Sequence, residues 1–152
     1  MCIRDSPYTA EAATEVEICT FSNAAFERLV GEYPGLQSRL FQHTLDELDA
    51  ARDWMLLLGR KSAREKVASL LLMIARRSVA VGCLPRDPDS VLAFDLPLSR
   101  TEIADCLGLT IETVSRQLKS LKDAGVIALP TLRHVELSSL ARLEAVAEQS
   151  MD

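Results

Sequence analysis

Apolar and polar positions alternate most regularly between Ser99 and Gly125. Ile103, Ala104 and Leu107 share one helical face there, and Val114, Leu118 and Leu121 recur at spacings of four and three. Two short helices around a tight turn are predicted. Ser99 can cap the first, and Glu102 stands three residues later, where it closes a capping box. Gly108 supplies the turn, Leu109 plugs the corner, and Thr110 can cap the second helix. Its first turns leave Glu112, Thr113, Ser115 and Arg116 pointing outward. This is the pattern of a helix-turn-helix, whose second helix enters the major groove of DNA.

The rest of the chain reads as elements that carry or pair this unit. Val16, Ile18 and Thr20 alternate with Glu17 and Cys19 as in a strand, but no partner strands follow, so this is read as the tail of something cut away. Ser22 or Asn23 can cap a short helix bearing Phe26, Leu29 and Val30, ended by Pro34 and Gly35. A long helix is expected from about Leu36 to Leu58. Phe41, Leu45, Leu48 and Met55 trace a narrow seam on it, interrupted by Arg52. So narrow a seam suits a copy of itself, which predicts a parallel dimerisation helix; an intramolecular core helix is the alternative.

Ser62 and Glu65 form a second capping box, opening a helix with Val67, Leu70, Leu71 and Ile74 towards a core and Gly82 at its end. Pro85 and Pro88 mark an irregular link, and Phe94 to Leu98 an extended segment. After Gly125, Val126–Leu129 and His134–Leu137 flank a turn at Pro130-Thr131 and predict a small hairpin. Ser139 caps a last helix carrying Leu140, Leu143 and Val146. The expected fold class is mainly α with a small β wing: a long dimerisation helix followed by a winged helix-turn-helix domain. The boundaries are residues 1–22 for an N-terminal remnant, 23–59 for a hinge helix and the dimerisation helix, and 60–152 for the winged domain.

Composition narrows the function. The 152 residues are 48% hydrophobic, and no apolar run reaches the roughly eighteen residues of a membrane span. No secretory signal is read at the N-terminus. A net charge of −5 runs against nucleic-acid binding, but nine acids and three bases lie in residues 1–50, against thirteen acids and fourteen bases in residues 51–152. The acidity is therefore remote from the helix-turn-helix. Cys2, Cys19, Cys83 and Cys106 are scattered singly, which fits neither a zinc site nor a disulfide framework and predicts reduced thiols in the cytoplasm. His43 and His134 lack metal-ligand spacing, and no nucleophile or phosphate-loop motif is present. Neither an enzyme nor a metal site is expected.

The candidate chemistry sits on the second helix. Arg116 can pair with both acceptors of a guanine edge, and Glu112 can accept a hydrogen from cytosine. A structural role for Glu112, at the positive end of the helix, stays open. Ser115 completes the base-reading set. Lys119 and Lys122 suit backbone phosphates or a solvated face, and Arg100, Thr101, Thr110, Thr113 and Arg133 are further backbone candidates, with His134 beside them on the wing. Cys106, in the first helix of the pair, is either a redox-sensitive thiol or an inert packed one.

At Ile-Glu-Thr-Val-Ser-Arg the chain resembles the Crp/Fnr superfamily of bacterial transcription regulators, most closely its FixK/FnrN branch. The E-x-x-S-R motif stands as Glu112, Ser115 and Arg116, after Leu-Ser-Arg-Thr-Glu-Ile-Ala and Leu-Gly-Leu-Thr. Upstream, Trp54-Met55-Leu56-Leu57-Leu58 and Ala63-Arg64-Glu65-Lys66-Val67-Ala68 continue the match. The resemblance implies a homodimer on double-stranded DNA, reading a TTGA-type palindrome. Arg116 would read the guanine, Glu112 the opposite cytosine and Ser115 a neighbouring thymine. It also implies recruitment of RNA polymerase and control of low-oxygen or nitrogen-metabolism genes. Residues 1–22 would then be the last strand of the family's N-terminal cyclic-nucleotide-binding-like β-barrel. Neither the phosphate-binding cassette nor the clustered cysteines of the iron–sulfur branch stand in this sequence, so no cofactor and no small-molecule effector are expected for the chain. The other readings are a winged helix that binds a protein partner, and a truncated dimer that does not bind DNA alone.

Overall fold

The computed structural model describes residues 12, 15–80 and 92–148. They divide into two compact units, residues 1–43 and 44–152. In the first, residues 15–22 are irregular, and Val16 and Ile18 are exposed. The strand expected from their alternation is not formed, because a strand without a neighbour has no ladder to satisfy its backbone. Helix α1 (Asn23–Glu32) follows, with the Ser22 hydroxyl accepting from the Ala25 N–H at 3.3 Å. Tyr33 ends it.

Helix α1 ends directly before Pro34 and Gly35, as expected, and the same two residues also open α2 (Pro34–Arg60). Proline tolerates the first helical position because the N–H it lacks would have no partner there. Helix α2 therefore runs two residues further at each end than the apolar pattern predicts. Its seam residues Phe41, Leu45, Leu48 and Met55 are all exposed, Phe41 and Met55 by 66% each. Half a helical circumference away, Leu57 is buried and Trp54 packs on the core of the second unit. Helix α2 thus has two apolar sides, of which the second unit's own core covers one.

The second unit is built around α3 (Ala63–Ala80). The Ser62 N–H donates to Glu65 Oε2 at 2.7 Å, and the Glu65 N–H to Ser62 Oγ at 3.4 Å, so the expected capping box is present. Val67, Leu70 and Leu71 are buried, and Ile74 is half-buried. Helix α3 packs against α6 (Leu140–Ala147), α5 (Ile111–Asp123) and strand β1 (Leu92–Asp95). An ion pair at 2.9 Å between Arg76 and Glu144 ties α3 to α6 at the surface. Ser139 stands at the N-cap of α6, but its hydroxyl makes no capping bond. The Gly82 stop, the Pro85–Pro88 link, Cys2 and Cys83 lie outside the described residues.

The wing differs from a simple hairpin. Strands β1, β2 (Ile127–Ala128) and β3 (His134–Leu137) form one antiparallel sheet in the order β1-β3-β2. The segment expected to run extended over Phe94–Leu98 begins at Leu92 and pairs Leu92 with Leu137 and Phe94 with Val135. All four of these side chains are buried. The Leu96 N–H then donates to the Arg133 carbonyl at 2.8 Å, prolonging the ladder. Strand β2 is only two residues long and would hold a hairpin weakly. The third strand gives the sheet a continuous buried face.

Candidate nucleic-acid interface

Helix α4 (Arg100–Leu107), the Gly108 turn and α5 are held by local bonds that the residue types require. The Ser99 N–H donates to Glu102 Oε2 at 2.6 Å, and the Glu102 N–H to Ser99 Oγ at 3.3 Å. Ser99's hydroxyl and N–H, together with the charge of Arg133, hold the Glu102 carboxyl below its ordinary value. Gly108 has φ 62°, a left-handed conformation that residues with a Cβ adopt only at a cost. The Leu109 N–H closes the turn onto the Ala104 carbonyl at 2.9 Å. Thr110 caps α5, its hydroxyl accepting from the Thr113 N–H at 3.2 Å. At the far end, Gly125 at φ 66° lets Val126 N–H reach the Leu121 carbonyl at 3.0 Å.

Val114, Leu118 and Leu121 are fully buried, which fixes the rotation of α5 about its axis. Glu112, Ser115, Arg116, Lys119 and Lys122 are therefore brought together on the exposed side. Arg116 leans back one turn, with Nη2 3.3 Å from Thr113 Oγ1, and Thr113 Oγ1 lies 3.1 Å from Thr110 Oγ1. Thr110 and Thr113 thus belong to a small network that caps the helix and steadies Arg116. Glu112 accepts from its own backbone N–H and from the Thr110 hydroxyl, which keeps its carboxyl below the ordinary value and charged at neutral pH. In the free chain Glu112 has the structural role left open above, and it stays on the outer face, where it can also accept from a base.

Three candidates are placed differently from expectation. Arg100 was taken as a phosphate contact, but its Nη2 donates to the Leu132 carbonyl at 2.8 Å. Its Nη1 is buried without a partner, and burial lowers its pKa. The side chain lies under the wing tip because β1 and β3 bring the turn at 130–133 against the start of α4. His134 was read as lying near phosphates; its Nδ1 is 2.8 Å from Asp95 Oδ1 and its Nε2 4.0 Å from Glu136 Oε1, so it bridges strands among carboxylates. Cys106 is exposed on α4 and so is not packed in the core. Thr101 is exposed on the first turn of α4, and Arg133 is exposed on the wing.

Between α5 and the wing lies an open groove of about 540 Å³. Ser115, Lys119 and Lys122 line one wall, Leu129–Leu132 the other, with Arg100 and Asp123 completing it. Sequence patterning missed both the bond from Arg100 to the wing and the placement of Leu132. The one available signal was an apolar residue set between Thr131 and Arg133 in a turn.

Residues 65–146 match the family model of the Crp-like helix-turn-helix domain. That is more than half of the chain. The chain belongs to the Crp-like helix-turn-helix family. Within the Crp/Fnr superfamily its similarity is to the FixK-like branch. It is 52% identical over 145 residues to the transcriptional activator protein FnrL of Cereibacter sphaeroides, covering 95% of this chain and 58% of that protein. It is 44% identical over 140 residues to the nitrogen fixation regulation protein FixK of Bradyrhizobium diazoefficiens, covering 92% of this chain and 56% of that one. Among solved structures, FixK2 from Bradyrhizobium japonicum superposes with a TM-score of 0.66 at 37% identity, over 81% of this chain and 57% of that one. The chain therefore spans little more than half the length of the curated relatives it matches. In this Crp-like domain the family's winged helix-turn-helix is α4, α5 and the β1-β3-β2 sheet.

Proposed function

We propose that the chain is the DNA-reading part of a sequence-specific transcription regulator that binds a TTGA-type palindrome as a homodimer. What carries the proposal is the side of α5 that bears Glu112, Ser115 and Arg116, exposed and opposite a fully buried stripe. A guanidinium fork reads guanine, a charged carboxylate accepts from cytosine, and Ser115 makes the neighbouring contact. Lys119, Lys122 and Arg133 supply backbone attraction. The exposed seam of α2 supports pairing of two copies, which would set two such helices on two half-sites. The names of FnrL, a transcriptional activator protein, and FixK, a nitrogen fixation regulation protein, support an activator of nitrogen-metabolism genes; recruitment of RNA polymerase and low-oxygen control are what the family resemblance adds to the proposal.

Selection from random duplexes with the purified chain tests this. A recovered palindrome containing TTGA is the expected result; recovery of no motif removes the proposal. Binding should also weaken steeply with added salt, whereas a winged helix docking on a protein through apolar contacts would not.

A further inference from the structure

Among the described residues the most exposed large apolar side chain is Leu132, at 84%, and it stands at the tip of the wing. Single exposed leucines are ordinary on protein surfaces, so exposure alone carries nothing. Its surroundings are less ordinary. The Arg100 guanidinium holds its carbonyl at 2.8 Å, and the Arg133 and His134 N–H groups both donate to Thr131 Oγ1, at 3.3 and 2.9 Å. Arg133 acts electrostatically on Glu102 of α4. The turn is thus closed on itself through Thr131, and one bond, from Arg100 to the Leu132 carbonyl, ties it to the start of α4, while the Leu132 side chain is left in solvent. The same tip forms one wall of the groove whose other wall carries Ser115, Lys119 and Lys122. An apolar side chain is thus held on a cationic rim, on the side from which α5 presents its polar face.

We propose that Leu132 is a DNA contact that packs against the deoxyribose and minor-groove edge flanking the half-site, and that Arg100 is the positioning residue that holds it there. The inference rests on the DNA-binding function proposed above. A duplex offers two kinds of surface beside the major groove: charged phosphates and apolar sugar faces. A leucine cannot pair with the first, and it loses water favourably against the second. Apolar side chains placed at the minor groove also sense how easily a base step deforms. Leu132 would therefore add a preference for flanking sequence that Glu112, Ser115 and Arg116 do not reach. Arg100 is placed to act through geometry: its fork spans from α4 to a wing carbonyl in a half-buried position where a lysine could not reproduce it.

The test uses the full chain and two duplexes with the selected palindrome, one extended by several base pairs on each side and one ending at the palindrome. Leu132→Ser is expected to lose roughly 5- to 10-fold in affinity on the extended duplex and nothing on the short one, with its salt slope unchanged. Arg100→Lys and Arg100→Gln are expected to lose alike on the extended duplex. An equal loss on both duplexes, or none on either, overturns the contact; the second result would leave Leu132 to a protein partner. If Arg100→Lys keeps full affinity, Arg100 serves as a charge on phosphate and not as a brace. Melting of Leu132→Ser, followed by circular dichroism, should match the parent, since Leu132 is exposed. If the parent chain itself does not prefer the palindrome over random DNA, the underlying function fails, which is distinct from a parent that binds specifically while Leu132→Ser is silent.

Discussion

Helices α2 and α5 are both amphipathic with one side on the core of the second unit, yet their outer sides have opposite chemistry. Outside, α5 carries Glu112, Ser115, Arg116, Lys119 and Lys122, and α2 carries Phe41, Leu45, Leu48 and Met55. A polar, ionised side is stable in water and is available for a polar ligand. An exposed apolar seam gains free energy only when something covers it. The outer chemistry therefore separates a surface suited to a polar ligand from one that gains by being covered, which is the division the proposed function uses.

The sharpest way to break this comparison is to loosen the inner side of α5. Leu118→Ala should cost about 2–5 kcal/mol of stability, because a fully buried leucine leaves a cavity. Thermal or denaturant unfolding measures it. Met55→Ala, on the exposed side of α2, should leave monomer stability almost unchanged. Pairing itself is probed by Leu48→Ala, expected to weaken association by roughly 3 kcal/mol per dimer, as each of two copies loses one buried side chain. Sedimentation at several concentrations reads this out, and an unchanged association constant would leave the α2 seam without the pairing role. Arg116→Ala should cost about 1–3 kcal/mol on the specific site and relax preference at one base pair. An equal loss on random DNA would assign Arg116 to phosphate, where Lys119→Ala is expected to act uniformly and lower the salt slope by about one.

The smallest effect is that of pH. Glu102 and Glu112 both have carboxyls below the ordinary glutamate value in the folded chain, from the Ser99 donors and from the Glu112 N–H with the Thr110 hydroxyl. A depressed carboxyl favours the folded state above its unfolded value of 4.5, and that contribution is lost as pH falls through the folded value. Stability should therefore be level from neutral pH to about 5 and decline below it, where acid usually acts on paired carboxylates. Glu102→Gln should flatten part of the decline in a melting series across pH.

Helices, caps and the turn of the α4–α5 pair were legible in the sequence because each depends on residues within four positions of one another. The Ser99–Glu102 and Ser62–Glu65 boxes, the Thr110 cap and the Gly108 turn are all of this kind. The same short range told half the story where a residue suits either end of a helix: Pro34 follows the end of α1, as read, and also opens α2. The wing was only half legible. Strand β1 pairs with β3 some forty positions along the chain, and nothing local in Leu92–Asp95 names its partner.

The sequence by itself determined which side of α5 faces outward, since Val114, Leu118 and Leu121 can satisfy only one rotation of the helix. It also determined that α2 carries an apolar seam. Only the tertiary structure decided that Arg100 braces the wing, that His134 bridges Asp95 and Glu136, and that Leu132 shares a groove with Lys119 and Lys122. The physical reason is range. Periodicity and capping are set by bonds within a helical turn, whereas the setting of a wing on a helix pair depends on which distant strand completes its sheet.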